Sequence, residues 1–537
     1  MGASRLGAVG LLSLVVVCSG LRAIPPPPST PAAPMAHSVQ ASRALAGRID
    51  ELVAASWATR GVMPTAPADD AEFLRRIYLD LAGRIPRVWE TREFLDDPKP
   101  DKRERLVSRL LEGPDYVRHF TNVWRATLVP EANNQQLRFF LPGFQIWLQR
   151  RLQDNVGYDR MVREILALPV ANNQQMQRQG FDPRAATPLA FYQASELKPE
   201  NLAASTSRLF LGVKLECAQC HDHPFARWSR KQFWELAAFF SGVRSQNGPF
   251  GGLQENADRR EIKIGGTDKV VKARLLDGTE PTWKQGVSAR ITLANWITTA
   301  ENPFFARTAV NRVWAQFFGI GLIDPVDELG DKNPPSHPEL LDELAHEFAA
   351  HQFDLRFLIR AIAMSRTYQL TSAGPPMSPG ERRLFTRMAV KGLSPEQLFD
   401  SLAQATGYRG PRQGDQRFVF GVDSSPRAEF LTRFAAQDKR TEPQTSILQA
   451  LLLMNGKFVA DATSVDRSEL LAGVLDAPFL KGPVERTEAL YLATLSRRPR
   501  PDELSRLTKY VESRDTKSAF ADVFWSLLNS SEFMFNH

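Results

Sequence analysis

The sequence predicts a mainly α-helical protein, with two helical lobes and a small β insert between them. Three observations carry this. Apolar residues recur every three or four positions through most of the chain. Capping residues precede these stripes and Gly or Pro follows them. One stretch, from about 245 to 290, alternates instead and contains Gly and Asp-Gly turns. The length of 537 residues exceeds one ordinary core and implies two or three domains. With 43% hydrophobic and 24% charged residues, the composition is that of globular protein. A net charge of +7 is small for this length, and basic and acidic residues interleave, as in "DPKPDKRERL". That pattern describes solvated helix faces, and no nucleic-acid partner is expected.

In chain order, the first segment reads as a signal peptide over residues 1–23. Arg5 precedes an apolar run from Leu6 to Val17, and the small residues Ser19 and Gly20 follow. The run is too short to span a bilayer comfortably. Cys18 follows Val17, where a lipoprotein site needs a small residue, so lipid anchoring is the minor alternative. A Pro-rich linker, "IPPPPSTPAAP", opens residues 24–42. An N-terminal helical domain is assigned to 43–245. In it, "DDAEFLRRIYLDLAGRIP" carries a stripe of Phe73, Leu74, Ile77, Tyr78 and Leu81, with Asp69 or Asp70 as cap and Gly83 and Pro86 as stop. In "DKRERLVSRLLEG", Asp101 is the expected cap. A β module follows over 246–287, then a C-terminal helical domain over 288–537. Capping boxes are expected at Ser229–Gln232, Ser336–Glu339 and Ser394–Gln397. "TSILQALLLMNG" is apolar nearly all round and predicts a buried helix.

The chemistry concentrates in "ECAQCHDHPF", Glu216 to Phe225. Once the leader is removed, Cys217 and Cys220 are the only cysteines, and a large exported chain does not depend on one such pair for its core. Cys217, Cys220 and His221 form the c-type haem attachment pattern. Two thiols separated by two residues reach the two vinyl groups of one haem, and the adjacent imidazole falls beneath the iron. The sequence identifies no second axial ligand: His223 is too close to reach the opposite face, and Met161 and Met176 are candidates by residue type alone. Two other readings stay open: a non-haem metal such as zinc on Cys217, Cys220, His221 and His223, and a disulfide or structural turn. "HEFAAH" fails as a zinc-protease motif. Its His346 and His351 are five apart, roughly 140° around a helix, where four are needed. Asp324 and Asp327 read as a loop turn. Asn311 and Arg312, among apolar neighbours, read as a buried structural network.

Long stretches carry a resemblance. "FLRRIYLDLAGRIP", "LVSRLLEGPDYVRHF" and "FLGVKLECAQCHDHPFARWSRKQFWELAAFF" resemble the planctomycete cytochrome-type family, a domain of unknown function numbered fifteen forty-nine. "NPFFARTAVNRVWAQFFGIGLIDPVDELGDKNPPSHPELLDELAHEF" and "FWSLLNSSEFMFNH" resemble its usual companion, number fifteen fifty-three. The resemblance implies an exported, periplasmic or cell-surface protein whose named motif falls on Cys217, Cys220 and His221. It also implies a redox or sulfatase-like partner. The expected function is that of a c-type haem protein in extracytoplasmic electron transfer or redox chemistry. The alternatives are a cell-surface scaffold or polysaccharide-associated binding protein, and a metal-dependent hydrolase.

Overall fold

The computed structural model describes residues 35–130, 135–170, 185–245, 253–408, 425–434 and 457–537. The leader with Cys18, Met176 and the segment 445–456 lie outside the described residues. The fold is mainly α, as the periodicity predicts, with three short antiparallel strand pairs among the described residues.

The first helix, α1 (Met35–Arg60), begins inside the segment assigned to the linker. The reason is composition: after Pro34 the chain is proline-free and Ala-rich until Pro64. Helix α2 (Asp70–Ala82) starts and stops as expected. Asp69 accepts from the Glu72 amide, and Gly83 closes the helix at φ 69°, a backbone angle that favours glycine. Its burial is not the predicted single stripe. Every residue from Phe73 to Ala82 is buried, Arg75, Arg76 and Asp80 included. Arg75 donates to the carbonyls of Thr494 and Phe533, and Arg76 to those of Tyr368 and Leu370. These side chains bind backbone from distant segments, so α2 is a central strut.

Helices α3 (Val88–Asp96), α4 (Lys102–Glu112), α5 (Pro114–Leu128), α6 (Gln135–Gln153) and α7 (Tyr158–Leu166) follow. Asp101 stands at the cap position of α4 but makes no cap bond, because its carboxylate is taken by Arg105 at 3.1 Å. Helices α8 (Leu189–Ala194), α9 (Pro199–Leu211) and α10 (Arg230–Ala237) complete the first half. The β module is two hairpins: β1 (Val243–Ser245) with β2 (Leu253–Glu255), and β3 (Glu261–Lys263) with β4 (Val270–Lys272).

The second half holds α11 (Ala289–Ile297), α12 (Phe305–Phe318), α13 (Pro338–Ala350), α14 (Leu355–Met364) and α15 (Pro379–Arg382). After them come β5 (Lys391–Gly392), α16 (Pro395–Thr406) and α17 (Pro426–Phe434). The chain closes with α18 (Lys457–Thr463), α19 (Glu469–Asp476), α20 (Pro483–Thr494), α21 (Pro501–Glu512), α22 (Thr516–Leu528), α23 (Ser531–Met534) and β6 (Phe535–Asn536). Strand β6 returns to pair with β5. The capping boxes at Ser229–Gln232 and Ser394–Gln397 form as expected.

The box expected at Ser336–Glu339 does not form. His337 takes the cap position of α13 without a side-chain cap bond, and the Ser336 hydroxyl meets His337 Nδ1 at 3.1 Å instead. His337 is 4% exposed and lies tilted against the Phe385 ring at 5.4 Å. Burial lowers its imidazole to about 4, and the Arg60 and Arg383 guanidiniums push the same way. A folded value below the unfolded one means that unfolding takes up a proton in the window between them. Stability from this site is therefore present above about 6.5 and lost as pH falls toward 4. We expect His337→Phe, which keeps the ring contact, to flatten the fall in unfolding midpoint between pH 6.5 and 4. A variant with the wild-type slope would show that His337 does not titrate as described.

A large apolar core runs from Leu45 to Met388 and draws on helices of both halves and on the hairpins. A second core gathers Leu393 through Phe533, together with Leu79 and Ile85 from the α2 region. Asn311 and Arg312 behave as the structural network expected. Asn311 is fully buried, donates to the Ile323 carbonyl and accepts from the Ile323 amide, both at 2.9 Å. Arg312 pairs with Asp327, so Asp327 is a tether and Asp324 lies exposed in the loop. His351 stacks on Phe357 at 3.8 Å and His346 is exposed, in line with a structural reading of "HEFAAH".

Candidate functional site

The CxxCH segment is the turn between α9 and α10. Gly212, at φ 64°, ends α9 in the left-handed conformation that glycine adopts at least cost. The chain then makes one tight helical turn over Glu216–Gln219. The inner side of this turn is packed: Leu215 and Ala218 are fully buried, with Trp228 and Trp234 nearly so. The outer side carries Cys217, Cys220 and His221, all exposed, and both thiols are free.

Hydrogen bonds fix the turn from below. The Gln219 carbonyl accepts from Trp234 Nε1 at 3.1 Å and from Arg230 Nε at 3.3 Å. Arg230 also donates to the Gly265 carbonyl on the β3–β4 hairpin. Asp222 Oδ1 accepts from the Arg230 amide at 2.7 Å, and Ser229 accepts from the Gln232 amide. Two side chains thus cap the N-terminus of α10, and the loop cannot swing away without uncapping it. Residues near Asp327 buttress the other flank. The Leu329 amide donates to the Gly212 carbonyl at 2.8 Å, Arg312 donates to the Arg208 carbonyl, and Arg208 meets Glu216 at 3.4 Å.

The two histidines hold different tautomers. His221 Nδ1 lies 2.7 Å from the Asp222 carbonyl, which can only accept, so Nδ1 carries the proton. In the neutral ring Nε2 then carries the lone pair, and the ring is exposed. His223 is the reverse. Its Nδ1 accepts from the amides of Phe225 and Ala226 at 3.2 and 3.0 Å, which places the neutral ring's proton on Nε2. The His223 amide donates to the Trp228 carbonyl at 2.8 Å and closes the loop. His223 therefore serves its own turn. Among the described residues, no group of three His, Cys, Asp or Glu side chains is arranged to hold a metal ion. Met161 is buried on α7 at 1% exposure. Phe225 is 73% exposed beside the motif, a large apolar surface on an otherwise polar rim.

Sequence reasoning named the four ligand candidates but missed what positions them. Arg230, Asp222 and the Gln219 carbonyl leave no spacing signal, because their partners are set by how α10 docks. Comparison with known families now decides the lineage. Residues 48–245 match PSCyt2, a protein family of unknown function (DUF1549), and residues 289–511 match PSD1, a second family of unknown function (DUF1553). The chain thus carries a PSCyt2 region followed by a PSD1 region. The CxxCH turn lies in the PSCyt2 region, and the residues that buttress it around Asp327 lie in the PSD1 region, so the two regions build one site. No curated protein and no solved structure matches the chain. Among the described residues no helix is long and apolar enough to cross a membrane.

Proposed function

We propose that this protein is an exported c-type haem protein acting in extracytoplasmic electron transfer or redox chemistry. Cys217 and Cys220 are its thioether anchors and His221 its proximal ligand. The observation that supports this reading best is the state of His221. Its Nδ1 proton is held by a backbone carbonyl, and its Nε2 lone pair is exposed one residue from an exposed thiol. That is the tautomer a neutral imidazole needs to bind a metal through Nε2. The exposure of both thiols leaves them open to attachment. Phe225, four residues after His221 in the chain, is an exposed apolar ring, and the inner side of the turn is filled by the core. A haem so held supplies one-electron chemistry at its iron. The chain's own part is to orient His221 and to hold the two thiols on one rigid turn.

The non-haem metal reading draws less support. His223 could ligate through Nε2 only by placing its proton on Nδ1, which would break both amide bonds that shape the turn. The test is expression with the leader in a host that attaches haem covalently. The wild type should show a Soret band and retain one haem per chain after denaturation. The double variant Cys217→Ser, Cys220→Ser should retain none. His221→Ala should keep the covalent haem and change its spectrum. Haem-free wild type carrying one equivalent of zinc would overturn the proposal.

A further inference from the structure

A second candidate site lies away from the CxxCH turn. A cleft of about 900 Å³ opens between α5 and α6 on one side and α16 and α17 on the other. Its lining is more polar than apolar, with Ala403, Gly407 and the ring of Tyr408 as its less polar part. Such a lining suits a polar ligand better than a lipid or a greasy peptide side chain.

The polar groups divide into two sets. Asn122, Gln145, Gln149 and Gln404 line the cleft, and their side-chain amides take up no hydrogen bond among the described residues. Arg84, Arg87, Arg118 and Arg427 supply guanidiniums. Their carboxylate partners are fewer and shared. Asp115 serves Arg84 at 2.8 Å and Arg118 at 3.0 Å, Glu90 serves Arg84 at 2.9 Å and Arg87 at 3.9 Å, and Asp400 serves Arg427 at 3.1 Å. Arg84 is fully committed, its five N–H donors taken by Asp115, Glu90 and the Ile85 carbonyl, so the unmet donors are those of Arg87, Arg118 and Arg427. Arg87 and Arg118 are about half exposed, at 49% and 50%.

The walls are held in place. Arg125 of α5 binds Glu396 of α16 at 3.1 Å, and Arg427 of α17 binds Asp400 of α16. The free amides and surplus guanidinium donors thus face a cleft whose shape is set before any ligand arrives. Such a cleft asks for a ligand rich in acceptors, with some negative charge and many hydroxyls. Planar amides and guanidiniums pair in two-point fashion with neighbouring hydroxyls, carboxylates and sulfates.

We infer that this cleft binds an acidic oligosaccharide, one whose sugar units carry carboxylate or sulfate groups. The site stands independently of the haem reading, since it shares no residue with the CxxCH turn.

The test is calorimetric titration of the purified full-length protein with three oligomers of matched length: an oligogalacturonate, a sulfated glucan and a neutral glucan. A poly-glutamate peptide serves as a fourth probe. At least one acidic sugar should bind, and added salt should weaken it. The double variant Gln145→Ala, Gln404→Ala should weaken that binding by about tenfold, since each amide contributes roughly one hydrogen bond. Its unfolding midpoint should match the wild type, because neither amide bonds to the protein. Binding to the carboxylated probe alone, the sulfated probe alone or both supports the inference and identifies the charged group. Absence of binding to both acidic sugars overturns it. So do equal affinity for the neutral glucan, preference for poly-glutamate, or wild-type affinity in the double variant.

Discussion

Replacing Asp80 by alanine should cost about 3–5 kcal/mol of stability, the loss expected when one partner of a buried ion pair is removed. Asp80 is 2% exposed and its two oxygens are fully used. Oδ1 accepts from Lys391 Nζ at 2.8 Å and from Asn536 Nδ2 at 2.7 Å, and Oδ2 accepts from the Tyr368 hydroxyl at 2.8 Å. Burial pushes the Tyr368 phenol well above its ordinary 10.0, and the Asp80 charge adds to this, so the hydroxyl stays a donor. Lys391 is 3% exposed and also reaches the Phe317 carbonyl at 2.6 Å in the last turn of α12. In the alanine variant its ammonium keeps the helix-end carbonyl but loses the Asp80 counter-charge. The β5–β6 pair, which carries Lys391 and Asn536, loses its tie to α2 at the same time. Asp80→Asn keeps the shape and should fall between wild type and alanine. The measurement is the shift in denaturant midpoint at constant slope. A cost under about 1 kcal/mol, the size of one ordinary hydrogen bond, would show that the node is not a charged one.

Arg290→Leu should be comparably damaging, again about 3–5 kcal/mol by the same argument. Arg290 is 1% exposed at the start of α11. It donates to the carbonyls of Leu166 and Leu168 at 2.6 and 2.9 Å and to Glu255 of β2 at 2.7 Å. Its Nε also donates to Glu255 at 3.2 Å, and it donates to the Tyr192 hydroxyl at 3.1 Å, which donates onward to the Leu166 carbonyl. One planar guanidinium therefore joins the end of α7, helix α8, the first hairpin and α11. Leucine leaves Glu255, in a side chain only 10% exposed, without a counter-charge and frees three carbonyl or hydroxyl acceptors. Arg290→Lys should rescue little, because a single ammonium cannot span this fork. Wild-type stability in the lysine variant would remove the argument from geometry.

These two nodes mark where the sequence stopped being legible. The local sequence of α2 was enough to predict its existence, a cap at Asp69 or Asp70 and a stop at Gly83 and Pro86, since those features depend on neighbours along the chain. Nothing in "FLRRIYLDLAG" distinguishes Arg75, Arg76 and Asp80 from a solvated face. Their partners, Thr494, Phe533, Tyr368, Leu370 and Lys391, come from hundreds of residues away. The capping boxes tell the same story at shorter range. Those at Ser229 and Ser394 formed, whereas Ser336 turned to His337 and left α13 uncapped by a side chain.

For the candidate site, the sequence alone determined the chemistry available. It placed two thiols and two histidines within seven residues and set the spacing that haem attachment requires. Only the tertiary structure decided that Cys217, Cys220 and His221 face outward while Leu215 and Ala218 face the core. It alone separated the two imidazoles, giving His221 a free Nε2 and committing His223 to the amides of Phe225 and Ala226. The physical reason is one of range. Helix periodicity, caps and motif spacing are local and are written along the chain. Burial of a charge, the tautomer of an imidazole and the opening of a cleft depend on which backbone and side-chain groups folding brings to them.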